Sequence, residues 1–165
     1  MEINLETIAA IAAEKEIENQ QFVLYLKSKD GQEIDALVLE LNDIISAKID
    51  CTQCGNCCKS LMINVSQSEA DNLSAHLHQS RNEFDKQYVE KGNNGMMIIN
   101  TIPCLFLHEN KCTVYEHRFA GCREFPGLHL PHFTKRLFTI FMHYERCPII
   151  FNVVEELKTI TNFKP

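Results

Sequence analysis

Residues 51–58 have the sequence Cys-Thr-Gln-Cys-Gly-Asn-Cys-Cys, and this segment determines how the rest of the chain is interpreted. Two thiolates separated by two residues in a tight turn can converge on one metal ion, and the N–H groups of the turn can hydrogen-bond the sulfurs. Gly55 suits such a turn, which often needs a positive φ beside a ligand. Two overlapping C-x2-C units in series therefore predict a metal site.

Four more cysteines lie in the second half of the chain. Cys104 and Cys112 flank a predicted hairpin, Cys122 follows a predicted short helix, and Cys147 directly precedes a proline. The alternative for each is a buried cysteine that packs as a small apolar side chain. We predict that all eight cysteines are metal ligands: Cys51, Cys54, Cys57, Cys58, Cys104, Cys112, Cys122 and Cys147.

The metal stays open between an iron–sulfur cluster and zinc, in one or two sites. Three cysteines at C-x2-C-x2-C with a remote Cys-Pro resemble the ligand arrangement of a [4Fe–4S] cluster, which we favour. Zinc needs only four thiolates, and Cys51 and Cys54 with Cys104 and Cys112 would supply them. We expect the side chains of the adjacent Cys57 and Cys58 to point in different directions. Such a pair seldom binds one ion in the same way.

The overall composition excludes some classes of protein. The chain has 165 residues, 45% of them hydrophobic, and a formal net charge of −6, which argues against a nucleic-acid-binding protein. No apolar run approaches the roughly 18 residues of a membrane span, and the N-terminus is acidic where a secretory signal needs positive charge. We expect a cytoplasmic protein, and a reducing compartment favours metal ligation over disulfides.

The apolar spacing of the first 50 residues predicts helices at 3–28 and 34–45, separated by Asp30-Gly31. We predict that residues 1–48 are a helical extension, a helix hairpin that binds a protein partner or a second copy of the chain. Residues 49–165 are predicted to be the cysteine-cluster domain.

Short elements fill the predicted cysteine-cluster domain. Ser66 and Glu69 have the spacing of a capping box at a helix start, and Pro148 suits the first turn of a final helix. We predict a small, helix-rich α+β domain with short strands, its loops pinned by a cysteine-ligated metal site. The predicted elements are strands at 61–65, 96–99 and 136–143, helices at 66–77, 83–89, 115–125 and 148–160, a turn at 92–95 and a hairpin within 104–115.

Three residues are predicted to lie behind the metal ligands. Arg118 and Arg123 would offset the negative charge of the thiolates, although a solvated role is an equal alternative. Tyr115 would shield the site from water.

Several of these motifs together resemble a known family, the YkgJ-like zinc- or iron-chelating cysteine-cluster proteins. The resemblance rests on residues 51–58, Pro103-Cys104-x-Phe-Leu, Lys111-Cys112-Thr-Val-Tyr-Glu-His-Arg118 and Gly121-Cys122-Arg-Glu-Phe-Pro126. Phe119 stands where the family usually has proline. The resemblance implies metal chelation by the cysteines. Flagellin lysine N-methylase shares the cysteine cluster, so the resemblance also permits a link to methyl transfer.

These observations support three hypotheses for the function. The first is a metal-binding protein that uses a cluster or ion for redox chemistry, sensing or chelation. The second is an enzyme, either a cluster-dependent protein resembling a lysine methyltransferase or a thiol oxidoreductase, although the βαβ context of thioredoxin is missing. The third is a structural zinc domain that presents its N-terminal helices to a partner. The sequence leaves open whether the protein is an enzyme.

Overall fold

The computed structural model describes residues 1–93, 95–99 and 101–165. The chain divides into two compact units. The helical unit consists of Met1–Asp50 and Pro126–Pro165, and the cysteine unit is Cys51–Phe125. The sequence predicts a division between residues 48 and 49, and in the structure the first unit gives way to the second between Asp50 and Cys51. Residues 126–165 pack with the N-terminal helices.

The predicted α+β class is confirmed, because helices dominate and the strands form two small antiparallel sheets. The described residues form ten α-helices: α1 (Leu5–Glu14), α2 (Glu16–Lys27), α3 (Gly31–Ser46), α4 (Cys51–Cys54), α5 (Asn56–Ser60), α6 (Gln67–His76), α7 (Arg81–Tyr88), α8 (Ala120–Glu124), α9 (Leu137–Met142) and α10 (Pro148–Ile160). They also form five strands: β1 (Ile63–Val65), β2 (Glu90–Lys91), β3 (Met97–Ile99), β4 (Leu107–His108) and β5 (Lys111–Cys112). Short 3-10 helices span Tyr115–His117 and Phe133–Lys135.

The helical unit is built around α10, which packs against α3 and α1. Its apolar face buries Ile150, Val153, Val154 and Leu157 almost completely. Pro148 occupies the first turn of α10, where the missing N–H costs no hydrogen bond, as predicted.

A buried ion-pair network also lies in the helical unit. Lys158 is 7% exposed, and its Nζ donates to Glu18 Oε1, Asn19 Oδ1 and Glu155 Oε1, each over 2.7 Å. Tyr144 Oη donates to the same Glu155 oxygen over 2.7 Å. The five groups satisfy one another, which is the condition for burying a charge.

The first predicted helix, at 3–28, is divided into α1 and α2 at Lys15. Lys15 has φ −94° and ψ 14°, outside the α-helical region, and its ammonium bonds Glu155. The break in the helix and the ion pair with Glu155 therefore occur at the same residue. The spacing of apolar residues does not reveal a break of one residue.

The cysteine unit contains a three-stranded sheet in the order β1-β3-β2, with Val65 opposite Met97. Helices α6 and α7 pack on each other, and each begins with a complete capping box. The box at Ser66 and Glu69 confirms the prediction. The predicted turn at 92–95 includes Asn94, which lies outside the described residues, while Gly95 has φ 72°.

Two predicted elements are wrong. Residues 136–143 form helix α9 instead of a strand, because Leu137 and Ile140 are the buried residues and their spacing of three belongs to a helix. Residues 115–125 do not form one helix. Arg118 and Phe119 are extended, with ψ 146° and 154°, so a 3-10 turn is separated from α8.

No helix of the described part of the chain combines the length and apolar character that a bilayer crossing requires.

Candidate metal centre

The C-x2-C run folds into two very short helices joined at Gly55. Cys51 and Cys54 are the ends of α4, and Cys57 and Cys58 lie in α5. Gly55 has φ 59°, as the sequence predicts, and its N–H donates to the Cys51 carbonyl over 2.9 Å. The positive φ lets the chain pass from α4 to α5 through a single residue.

The β4–β5 hairpin lies against this turn. Its tip, Glu109 and Asn110, has positive φ at both residues, the geometry of a type I′ turn. A Cβ on Gly55 would lie 3.4 Å from the Asn110 carbonyl oxygen. Helix α4 also packs against β5, which ends at Cys112, so the first C-x2-C pair lies beside the hairpin.

A backbone hydrogen bond joins the start of the hairpin segment to α5. The N–H of Cys104 donates to the Cys58 carbonyl over 2.8 Å, and the Cys104 carbonyl accepts from Leu107 N over 3.0 Å. The hairpin is thereby fixed beside Cys58.

Five cysteines of the cysteine unit form what we call the sulfur group: Cys57, Cys58, Cys104, Cys112 and Cys122. The sulfurs of Cys57 and Cys58 lie 4.0 Å apart. The expectation that these adjacent side chains point in different directions is wrong. Cys58 is the cysteine whose charge raises the pKa values of all three distant thiols, Cys104, Cys112 and Cys122.

Burial and neighbouring thiols raise the pKa values of four of these cysteines, namely Cys58, Cys104, Cys112 and Cys122. The hydrogen bond with Cys57, with burial, raises the pKa of Cys58 far above its ordinary value. Burial is the main cause for the others. It raises the pKa of Cys122 to about 11 and raises those of Cys104 and Cys112 less. These thiols are protonated near neutral pH without a metal, so metal binding must release their protons.

Arg118 supplies positive charge to the sulfur group. It lowers the pKa values of Cys58, Cys112 and Cys122 against the larger effects that raise them. Its guanidinium stacks 3.5 Å from the centre of the Tyr115 ring, and its Nε donates to the Tyr115 carbonyl over 2.9 Å. Tyr115 is itself exposed, so its contact with Arg118 is a better account of its place than shielding.

Two other cations lie near this segment. Lys59 also lowers the pKa of Cys58, a neighbour that the sequence analysis did not single out although it is next in the chain. Arg123 donates through Nη1 to the Arg118 carbonyl. This hydrogen bond from Arg123 helps to fix the backbone at Arg118.

The sulfur group borders the apolar core of its unit. Cys104, Cys112 and Cys122 are half-buried and pack against that core. The core is made of the buried residues Val65, Ala70, Leu73, Phe84, Met97, Ile99, Phe106, Val114 and Phe119. One side of the group is therefore shielded from water.

The donor set suits zinc or iron, both of which thiolates bind well. In a zinc tetrahedron with Zn–S bonds of about 2.3 Å, neighbouring sulfurs lie roughly 3.8 Å apart. The 4.0 Å separation of Cys57 and Cys58 is close to that value. Within residues 1–93, 95–99 and 101–165, no three His, Cys, Asp or Glu side chains lie close enough together to hold one ion. The side chains would have to close around the metal.

Three predicted ligands lie outside the sulfur group. Cys51 is exposed and Cys54 is half-buried, both on α4. Cys147 belongs to the helical unit, is 7% exposed and precedes α10. Their role as ligands stays a prediction.

A family model matches the chain over residues 50–148, which is more than half of its 165 residues. The model is named CxxCxxCC and described as a "Putative zinc- or iron-chelating domain". The chain belongs to this family. The predicted family resemblance is thus confirmed, and the match extends past residue 126 to take in Cys147 and Pro148. As a CxxCxxCC member, the protein is a metal-binding protein. No curated protein and no solved structure matches the chain.

Proposed function

We propose that this CxxCxxCC protein binds zinc or iron through the cysteine thiolates of the sulfur group, with Cys58 at its centre. The observation that carries the proposal is the backbone hydrogen bond from Cys104 N–H to the Cys58 carbonyl over 2.8 Å, which places the start of the hairpin segment against α5. The charge of Cys58 also raises the pKa values of Cys104, Cys112 and Cys122, which lie far along the chain. Three of these cysteines, Cys104, Cys112 and Cys122, also border one apolar core, whereas a free cysteine usually packs singly as a small apolar group.

The arrangement of charge supports the same proposal. Four thiolates on a divalent ion leave a net charge of about −2, which needs a nearby cation at a half-buried site. Arg118 is held in place by its contacts with Tyr115 and acts on three of the thiols. The raised pKa values of Cys58, Cys104, Cys112 and Cys122 speak against any of these four as the attacking cysteine of a thiol oxidoreductase, which needs a lowered pKa.

For the metal itself, we propose a [4Fe–4S] cluster first, serving electron transfer or sensing. The C-x2-C-x2-C spacing of Cys51, Cys54 and Cys57 supports it, because three corners of a cluster are commonly bound in this way. A cluster would therefore add Cys51 and Cys54 to the ligands that the sulfur group supplies. Residues that shield a cluster from water or offset its charge also tune its reduction potential. We propose that Arg118 does so by offsetting the charge.

Zinc, as chelated or structural metal, is the second candidate. The separation of 4.0 Å between the Cys57 and Cys58 sulfurs favours it, because that distance fits two corners of a zinc tetrahedron. A zinc site would pin the hairpin, α5 and α8 together without redox chemistry.

Purification without oxygen, followed by visible spectroscopy and elemental analysis for iron, zinc and sulfide, tests the proposal. A broad band near ~400 nm with about four irons and four sulfides per chain would support the cluster. A colourless protein with one or two zincs would replace the cluster with the zinc alternative. Protein that takes up neither metal, even after anaerobic reconstitution with each, would overturn the proposed function.

A further inference from the structure

Glu69 uses its two carboxylate oxygens for two different helices. Oε2 accepts from the backbone N–H of Ser66 over 2.9 Å and from the Ser66 hydroxyl over 2.7 Å, which completes the capping box of α6. Oε1 accepts from the backbone N–H of Ala120 over 2.5 Å, and Ala120 is the first residue of α8. The second contact joins segments that are far apart in sequence.

Helix α8 needs contacts with residues outside the helix to be stable. It has five residues, too few to be stable alone, and its own N-cap residue, Phe119, provides no side-chain acceptor. Glu69 supplies the missing acceptor and places a negative charge at the positive end of the helix. Cys122 lies in this helix, two residues beyond Ala120.

The carboxylate is held on a fixed support. The next residue on α6, Ala70, is fully buried, as is Leu73 one turn further on. Burial alone would raise the pKa of Glu69, but hydrogen bonds from Ser66 and Ala120, with the charge of Arg123, hold it below its ordinary value. Glu69 is thus ionised and firmly placed where α8 begins.

We propose that Glu69 is a positioning residue for the metal site: by fixing the start of α8, it holds the Cys122 sulfur beside Cys58. The inference rests on the proposed function, since it assigns Glu69 a part in metal binding. Removing the carboxylate should leave α8 frayed and Cys122 poorly placed, while the other thiols of the sulfur group keep their support.

The chain offers a matched control in a second capping box. Glu83 Oε2 accepts from Ser80 N over 2.9 Å and from the Ser80 hydroxyl over 2.6 Å, at the start of α7. Among the described residues, the Glu83 carboxylate makes hydrogen bonds only with Ser80. Glu83→Ala therefore removes an equivalent cap from the same unit without touching α8.

The test titrates cobalt(II) into the full chain under anaerobic, reducing conditions. Thiolate-to-cobalt charge-transfer absorption reports how many sulfurs are bound, and a competing chelator gives the affinity. We expect Glu69→Ala to weaken cobalt binding by about 10-fold or more, the usual effect of losing a residue that orients a ligand. Its spectrum should match that of Cys122→Ala, with one thiolate fewer than wild type. Glu83→Ala should keep the wild-type spectrum and an affinity within about 3-fold of wild type.

Two further measurements separate positioning from general destabilisation. Glu69→Gln has one acceptor oxygen instead of two, so it can accept from Ala120 N–H or from Ser66 N–H but not from both, and its affinity should lie between those of wild type and Glu69→Ala. Hydrogen exchange at residues 120–124 of the metal-free protein should speed up in Glu69→Ala and not in Glu83→Ala. Equal spectra and affinities for Glu69→Ala and Glu83→Ala would overturn the inference alone. A wild-type protein that binds no cobalt, zinc or iron would overturn the proposed function and the inference with it.

Discussion

The backbone N–H of Cys104 donates to the carbonyl oxygen of Cys58 over 2.8 Å. This one bond joins the two halves of the cysteine pattern, the compact run at 51–58 and the scattered cysteines that follow. It fixes the start of the hairpin segment directly beside Cys58.

We predict that Cys58→Ala weakens metal binding more than Cys57→Ala does. The charge of Cys58 acts on the three distant thiols, so its loss should cost more than about 100-fold in affinity, above the usual range for residues that only support ligands. Competition with a chelator measures the affinity of each variant, and elemental analysis measures the bound metal. Equal losses in the two variants would contradict the central position of Cys58.

We predict that Gly55→Ala damages both the fold and the metal site. Its φ of 59° costs a residue with a side chain about 1 kcal/mol, and the new Cβ would lie against the hairpin, 3.4 Å from the Asn110 carbonyl oxygen. Gly95→Ala is the matched control, because Gly95 also has a positive φ, 72°, with nothing within 4 Å of the added Cβ. Thermal melts should show similar losses, whereas only Gly55→Ala should weaken metal binding. Unchanged metal affinity in Gly55→Ala would argue against the hairpin contact as a support of the site.

We predict that Lys158→Ala lowers the free energy of unfolding of the metal-free protein by about 3 kcal/mol. The change leaves the Glu18 and Glu155 carboxylates without their buried partner, and breaking such a pair is costly. Urea denaturation followed by circular dichroism measures the change. Lys164→Ala, at an exposed lysine, is the control and should change stability by less than about 0.5 kcal/mol. A similar small effect from Lys158→Ala would show that the network contributes little.

We predict that the helical unit loses stability in acid partly through Glu155. Burial alone would raise the pKa of Glu155, but hydrogen bonds from Lys15, Lys158 and Tyr144 hold it below the ordinary 4.5. A carboxyl group with a lowered pKa stabilises the fold when ionised. Its contribution is therefore full above pH 4.5 and is lost as the pH falls through the lower pKa of the folded state.

The measurement compares the melting temperatures of wild type and Glu155→Gln between about pH 2.5 and pH 7. This range brackets the ordinary pKa of a glutamate, about 4.5, and shows whether the stability contributed by Glu155 rises or falls with pH. The wild type should be more stable at neutral pH, and the gap should narrow as the pH falls. A gap that stays constant or widens in acid would show that the pKa of Glu155 is not lowered.

Local sequence signals predicted much of the cysteine unit. Ser66 with Glu69, the positive φ of Gly55 and the hairpin before Cys112 all follow from the chemistry of a few adjacent residues. The same signals failed at 136–143, where a six-residue apolar segment suits either a strand or a helix. Only the burial of Leu137 and Ile140 in the helical unit decides between them.

Long-range pairings could not be predicted in the same way. The spacing of Ser66 and Glu69 predicts one cap, but nothing local indicates that the second oxygen of Glu69 reaches Ala120. The effect of Cys58 on three distant thiols likewise depends on where the hairpin packs. These contacts join residues that are distant in the chain, and a spacing rule describes only near neighbours.

The division of the helical unit between the two ends of the chain has a consequence for synthesis. Residues 51–125 leave the ribosome before Pro126–Pro165, so the helical unit cannot close until α10 has been made. At roughly 5–20 residues per second, that delay lasts about 2–8 seconds. During this interval seven of the eight cysteines already exist in a nascent chain that still lacks one of its two units. Metal capture in those seconds would compete directly with oxidation and with mispairing of thiols, so the supply of metal during translation would affect the yield of correctly folded protein.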